Sequence, residues 1–158
     1  MREPSPVCVV CERTGVWARA LRTAWARRGP PDVLRFVETR SPAEARRRLA
    51  EFAADGVAAA LVVEATTANG TLVAGLLSEC VRRSGAVPLW GLAEPADSGC
   101  EALVREAGAT GFSTSRRALG PLIDALTVRV DEMRGRPVRQ EASASIDDLR
   151  RRLPWGDD

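Results

Sequence analysis

Apolar positions along the chain keep two alternating rhythms, one continuous over a few residues and one recurring every three to four. Val7 to Cys11 (VCVVC) is a short valine-rich run that reads as a strand. Trp17, Leu21 and Trp25 then recur at helical spacing, and Gly29 ends that segment. Asp32 to Thr39 predicts a second strand. The second helix opens with Ser41 as N-cap, Pro42 in the first turn and Glu44 as capping-box acid, and turns Ala45, Leu49 and Phe52 inward.

Val57 to Glu64 is a continuous apolar run too short for an ordinary helix, so it predicts a strand buried on both faces at the centre of a sheet. A third helix follows over 71–83, closed by Gly85. AVPLWGLAE gives a fourth strand, Asp97 to Ala107 a fourth helix and ATGFSTS a fifth strand. The last helix, Ala118 to Met133, carries Leu119, Leu122, Ile123, Leu126 and Val130 on one side, with Pro121 confined to its first turn.

Five alternating strand–helix units imply an α/β fold: a doubly wound parallel sheet with helices on both faces, because parallel neighbours need crossover connections. Such sheets bind or react beyond the strands' carboxyl ends, near the switch in winding direction. Here that means the loops after the first and third strands, where Glu12 and Glu64 stand. Residues 1–6 are expected to be disordered, 7–134 to form the domain and 135–144 to have linker composition. The tail, 145–158, restarts a helical pattern with Ser145 as N-cap, Ile146, Leu149 and Leu153 on one side, and Pro154 as a stop. So short a helix is marginal alone and orders by docking. Ile146, Leu149, Leu153 and Trp155 are the expected anchors on a partner or a second copy, the alternatives being a tail that packs on its own domain or frays.

Composition narrows the chemistry. With 158 residues and 45% hydrophobic content the chain suits one domain. Its net charge of +2, from 23 basic and 21 acidic residues, makes no field that points to nucleic acid or membrane, and the arginine clusters read as solvated faces. Every basic residue is arginine, and lysine, histidine and tyrosine are absent. Lysine Schiff bases, histidine general bases and histidine metal ligands are thereby excluded. No apolar run is long enough to span a bilayer and MREPSPV lacks a leader's apolar core, so a cytoplasmic location with reduced thiols is expected. The two cysteines of CVVC stand three apart on a strand and point to opposite faces, which disfavours a redox or zinc pair; Cys100, near a helix start, is the thiol expected to be exposed.

Local strings give this pattern a family likeness. VCVVCER, LVVEATTANG, PLWGLAE and GATGFSTSRRALGPLIDAL resemble the strand ends of response-regulator receiver domains, the CheY-like fold, over roughly residues 7 to 134. The resemblance implies a five-stranded flavodoxin-like sheet of order 2-1-3-4-5. It places Cys11 and Glu12 at the paired metal-binding acids, Glu64 at the phosphoacceptor aspartate and Ala93 at a small hydroxyl residue. Phe112 falls at the switch aromatic, and Ser115 and Arg116 at a lysine–proline pair. Phosphoryl transfer needs a placed nucleophile, a divalent ion and charge-stabilising groups, and nearly all are replaced.

The expectation is therefore a degenerate, non-catalytic receiver without a cofactor, signalling independently of phosphorylation through protein contacts of its last helix face or tail. Glu64 would be either a fixed charge imitating a phosphoryl group, though one charge against nearly two, or a solvated carboxylate paired with Arg13 or Arg116. The alternatives are a small-ligand-binding flavodoxin-like domain, or an unorthodox receiver keeping weak magnesium binding at Glu12 and Glu64.

Overall fold

Strands β1 (Val7–Cys11), β2 (Arg35–Thr39), β3 (Ala59–Glu64), β4 (Leu89–Leu92) and β5 (Gly111–Ser113) pair in parallel in the order β2-β1-β3-β4-β5. This computed structural model describes residues 5–31, 33–84 and 87–135, so Gly85, linker positions 136–144 and the anchors Ile146, Leu149, Leu153 and Trp155 lie outside the described residues, while Gly135, expected to open the linker, ends the last helix. Helices α1 (Val16–Arg28), α2 (Pro42–Ala54), α3 (Gly70–Ser84), α4 (Glu101–Glu106) and α5 (Gly120–Gly135) cover the sheet. The doubly wound α/β architecture expected from the alternating pattern is the one formed, with β3 at the centre.

Strand alternation divides the interior into two cores. Cys8, Val10, Val62, Trp90 and Leu92 meet α1 and α5 through Trp17, Leu21, Ile123 and Leu126. Val7, Val9, Leu61, Val63 and Leu89 meet the other three helices through Ala45, Leu76, Leu77 and Val104. Cys8 and Cys11 accordingly belong to opposite faces. Burial pushes the Cys8 thiol up to about 12, so it stays protonated and inert.

Local signals are realised most fully in α2. Ser41 accepts the Glu44 amide at 3.2 Å, while the Glu44 carboxylate reaches back to the Arg40 amide at 2.8 Å. Pro121 lies in the first turn of α5, where its missing N–H costs nothing. The fourth helix is shorter than expected: Pro95–Cys100 forms a 3₁₀ turn and only Glu101–Glu106 is α-helical. That turn rotates Cys100 inward toward Gly70 of α3, and the thiol expected to be exposed is buried.

At the β5 edge two glycines and two aromatics interlock. The register sets Trp90 beside Gly111 and Gly91 beside Phe112. A methyl on Gly111 would stand 2.2 Å from the Trp90 ring, and one on Gly91 2.5 Å from the Phe112 ring. Each ring thus covers the neighbouring strand's bare backbone, one on each face of the sheet. The Trp90 indole also donates to the Ser113 hydroxyl at 3.1 Å. Phe112 is held half-buried between Gly91 and Val104.

Candidate functional site

The β1–β3 register pairs Cys11 with Val63, so the next residue on each strand is a glutamate and both reach the carboxyl edge together. The two carboxylates meet different fates. Glu12 is 2% exposed and turns into the start of α1, where its two oxygens accept the Trp17 amide at 2.9 Å and the Ala18 amide at 2.6 Å. The helix's own N-cap, Gly15, has a left-handed φ of 81° and no side chain to offer, so Glu12 supplies the acceptors that α1 lacks. A full negative charge at the positive end of the helix dipole stabilises that arrangement further.

Glu64 is half-buried and accepts the Arg13 backbone amide at 3.1 Å. The guanidinium partners expected for it are not found. Arg13 contributes its amide rather than its side chain, and Arg116 instead pairs with Glu94 at 3.4 Å and lies over the Trp17 ring at 6.0 Å. Arg116 is therefore fixed by a nearer acid and an aromatic face. The backbone around Glu64 is also tethered, because the Asn69 amide group donates to the Glu64 carbonyl at 3.1 Å and Asn69 accepts the Thr66 amide at 2.7 Å. From across the edge, Asp97 accepts the Thr67 amide at 2.9 Å.

The remaining positions offer little to an anion or a cation. Cys11 is buried, and burial, reinforced by the charges of Glu44, Glu64 and Glu12 and only partly offset by the nearby Thr39 hydroxyl, pushes its thiol up to about 11. A protonated thiol is a poor ligand for a hard cation. Ala93 is wholly buried and donates its amide to the Ser113 carbonyl at 3.1 Å. Ser115 is exposed, and its hydroxyl accepts the Arg117 amide within its own turn at 3.3 Å. The donor set thus does not fit magnesium: both Glu12 oxygens already serve α1, the neighbouring acid is a thiol, and among the described residues no group of three candidate ligands converges.

Glu12, Glu64, Ala93 and Ser115 all sit at one end of the sheet, at or just beyond the carboxyl ends of their strands. The capping role of Glu12 was missed, although the sequence carries a faint sign of it: the first turn of α1 holds no acid and its cap is glycine. The tethers from Asn69 and Asp97 have no such sign, since they depend on loop closure.

No family model matches the sequence, and no curated protein matches it. The likenesses are structural. A CheY-like protein (tadZ) from Pseudomonas aeruginosa superposes with a TM-score of 0.62 at 17% identity, over 78% of this chain and 94% of that one. A response regulator from Thermotoga maritima gives 0.60 at 14% identity, over 81% of this chain and 99% of that one. An atypical orphan response regulator, described as having a phosphorylation-independent regulatory mechanism, gives 0.53 at 16% identity, over 79% and 95%. Together with the strand order, these likenesses establish the CheY-like receiver fold.

Proposed function

We propose that this receiver fold serves as a non-enzymatic protein-interaction module of a signalling pathway and works without phosphorylation. The observation that carries the reading is the state of Glu12, whose carboxylate at the metal-binding position is spent on two helix amides. Glu64 in place of aspartate would put its carboxylate about one bond length further out, a displacement costly to a reaction that depends on positioning. Ala93 has no hydroxyl and Ser115 no cation to engage phosphoryl oxygens. The orphan regulator named above is reported to act independently of phosphorylation, and the present chain shares its fold.

Signal output in this reading passes through contacts of the α4–β5–α5 face or of the tail, with Ile146, Leu149, Leu153 and Trp155 as anchors for a protein partner or a second copy. Phe112, wedged between Gly91 and Val104, supports a single fixed state of that face. The test is incubation with a small phosphodonor and magnesium, read by intact mass. No adduct is expected; a phosphoryl adduct that disappears in Glu64→Ala overturns the reading. A pull-down comparing the full chain with one ending at Arg134 then assigns the contacts to the tail or to the domain.

A further inference from the structure

Bordering the carboxyl edge at Arg116 and Arg117, α1 and the start of α5 enclose a groove of about 590 Å³, within the range of small-molecule sites. Arg19, Arg27 and Arg28 reach it from α1, and Arg116 and Arg117 from the turn before α5. Val16, Ala20, Ala24 and Leu119 form an apolar floor, and no acidic residue lines it. A nearly neutral chain has gathered five of its 23 arginines around one concavity.

Two of the five are held in place. Arg28 pairs with Asp124 at 3.3 Å and lies across Gly120, where a methyl group would come within 2.6 Å of its guanidinium. Arg116 is fixed by Glu94 and the Trp17 ring. Arg19, Arg27 and Arg117 have no acidic partner among the described residues, and all three are exposed. Elsewhere several arginines are answered by acids, Arg46 by Glu79, Arg48 by Glu51 and Arg105 by Glu101, while Arg13, Arg35 and Arg82 also lack an acidic partner among the described residues. The first turn of α5, which ordinarily favours acids, contains none.

We propose that this groove binds a phosphate ester of nucleotide size. Guanidinium forks match phosphate oxygens bidentately, and Arg19, Arg27 and Arg117, without an acidic partner among the described residues, supply positive charge of the order a di- or triphosphate carries. The apolar floor then covers the organic part of the ligand, which bare phosphate lacks. The site adjoins the glutamate edge but includes neither Glu12 nor Glu64, and it does not depend on the signalling reading above.

Titration of the full chain with ADP, and in parallel with inorganic pyrophosphate, tests this by calorimetry and amide shifts at about 0.15 M salt, where generic surface attraction is screened. Saturable ADP binding is expected, tighter than pyrophosphate, shifting Val16, Ala20 and Gly120. Arg27→Glu with Arg117→Glu is expected to weaken it roughly tenfold or more, and the charge-matched control Arg47→Glu with Arg82→Glu to leave it unchanged. ADP binding that fails to saturate, equals pyrophosphate or weakens equally in the control overturns the proposal. So does tighter binding of a duplex oligonucleotide or of a glutamate-rich peptide to the same residues.

Discussion

The glutamate edge and the α1–α5 groove both gather charge of one sign among the described residues, and they differ in what holds the charge. At the edge, Glu12 is buried with both oxygens on backbone amides, and Glu64 takes a third amide. In the groove, three exposed guanidinium groups lack an acidic partner among the described residues. At the edge both glutamates are engaged in holding backbone amides of α1 and of the loop after β1. Arg116 apart, the groove has no counterpart in the expected chemistry, and Arg19, Arg27 and Arg117 are exposed there. Whether a charged residue is available depends on its hydrogen-bond partners, not on its place along the chain.

That contrast makes graded predictions. Glu12→Ala strips the acceptors from the Trp17 and Ala18 amides in a buried setting and is expected to cost about 2–3 kcal/mol in urea unfolding; a loss below about 0.5 kcal/mol would put Glu12 in the same class as a surface charge. Alkaline pH acts through the buried thiols. Cys8 and Cys11 titrate at about 12 and about 11 in the folded chain against an ordinary value of 9.0. An unfolded chain therefore releases these protons first, so the thiols' contribution is complete below pH 9.0 and lost as pH rises toward 11 and 12. Within that window the slope is on the order of 1 kcal/mol per pH unit for each thiol. Because lysine and tyrosine are absent and arginine stays charged, the limb belongs to the thiols, and Cys8→Ala with Cys11→Ala should make it shallower, leaving the part due to Cys80, whose thiol burial also pushes up.

Glu64→Gln keeps an acceptor for the Arg13 amide and is expected to cost about 0.5–1 kcal/mol at most, visible as a small shift in the denaturation midpoint. Arg27→Ala with Arg117→Ala should change stability by no more than about 0.5 kcal/mol, because both side chains are exposed and support no packing. A larger loss would mean that the groove's arginines, like the edge's glutamates, are structural.

Element order was legible because each periodicity is local: VCVVC, VAAALVVE and the leucines of the last helix announce themselves within a few residues. Boundaries were less so. The fourth helix gave way to a 3₁₀ turn over PADSGC, whose glycine and serine weaken α-helical pairing, and this inverted the expectation for Cys100. The fifth strand shrank to Gly111–Ser113, where the Trp90–Gly111 and Gly91–Phe112 contacts compensate for its length. At the site, the positions of Glu12 and Glu64 could be read from the strand ends, but the partners of Glu64 could not.

By itself the sequence determined the alternation of strands and helices, the caps of α2, the burial of the valine-rich strands and the residue types at each strand end. Tertiary structure alone decided that Glu12 would serve α1, that Arg116 would leave Glu64 for Glu94 and Trp17, and that arginines some 90 positions apart would share a groove. The reason is physical. Periodicity and capping act over one or two turns of chain, whereas a side chain's partner is chosen among all groups that register and packing bring within hydrogen-bond reach.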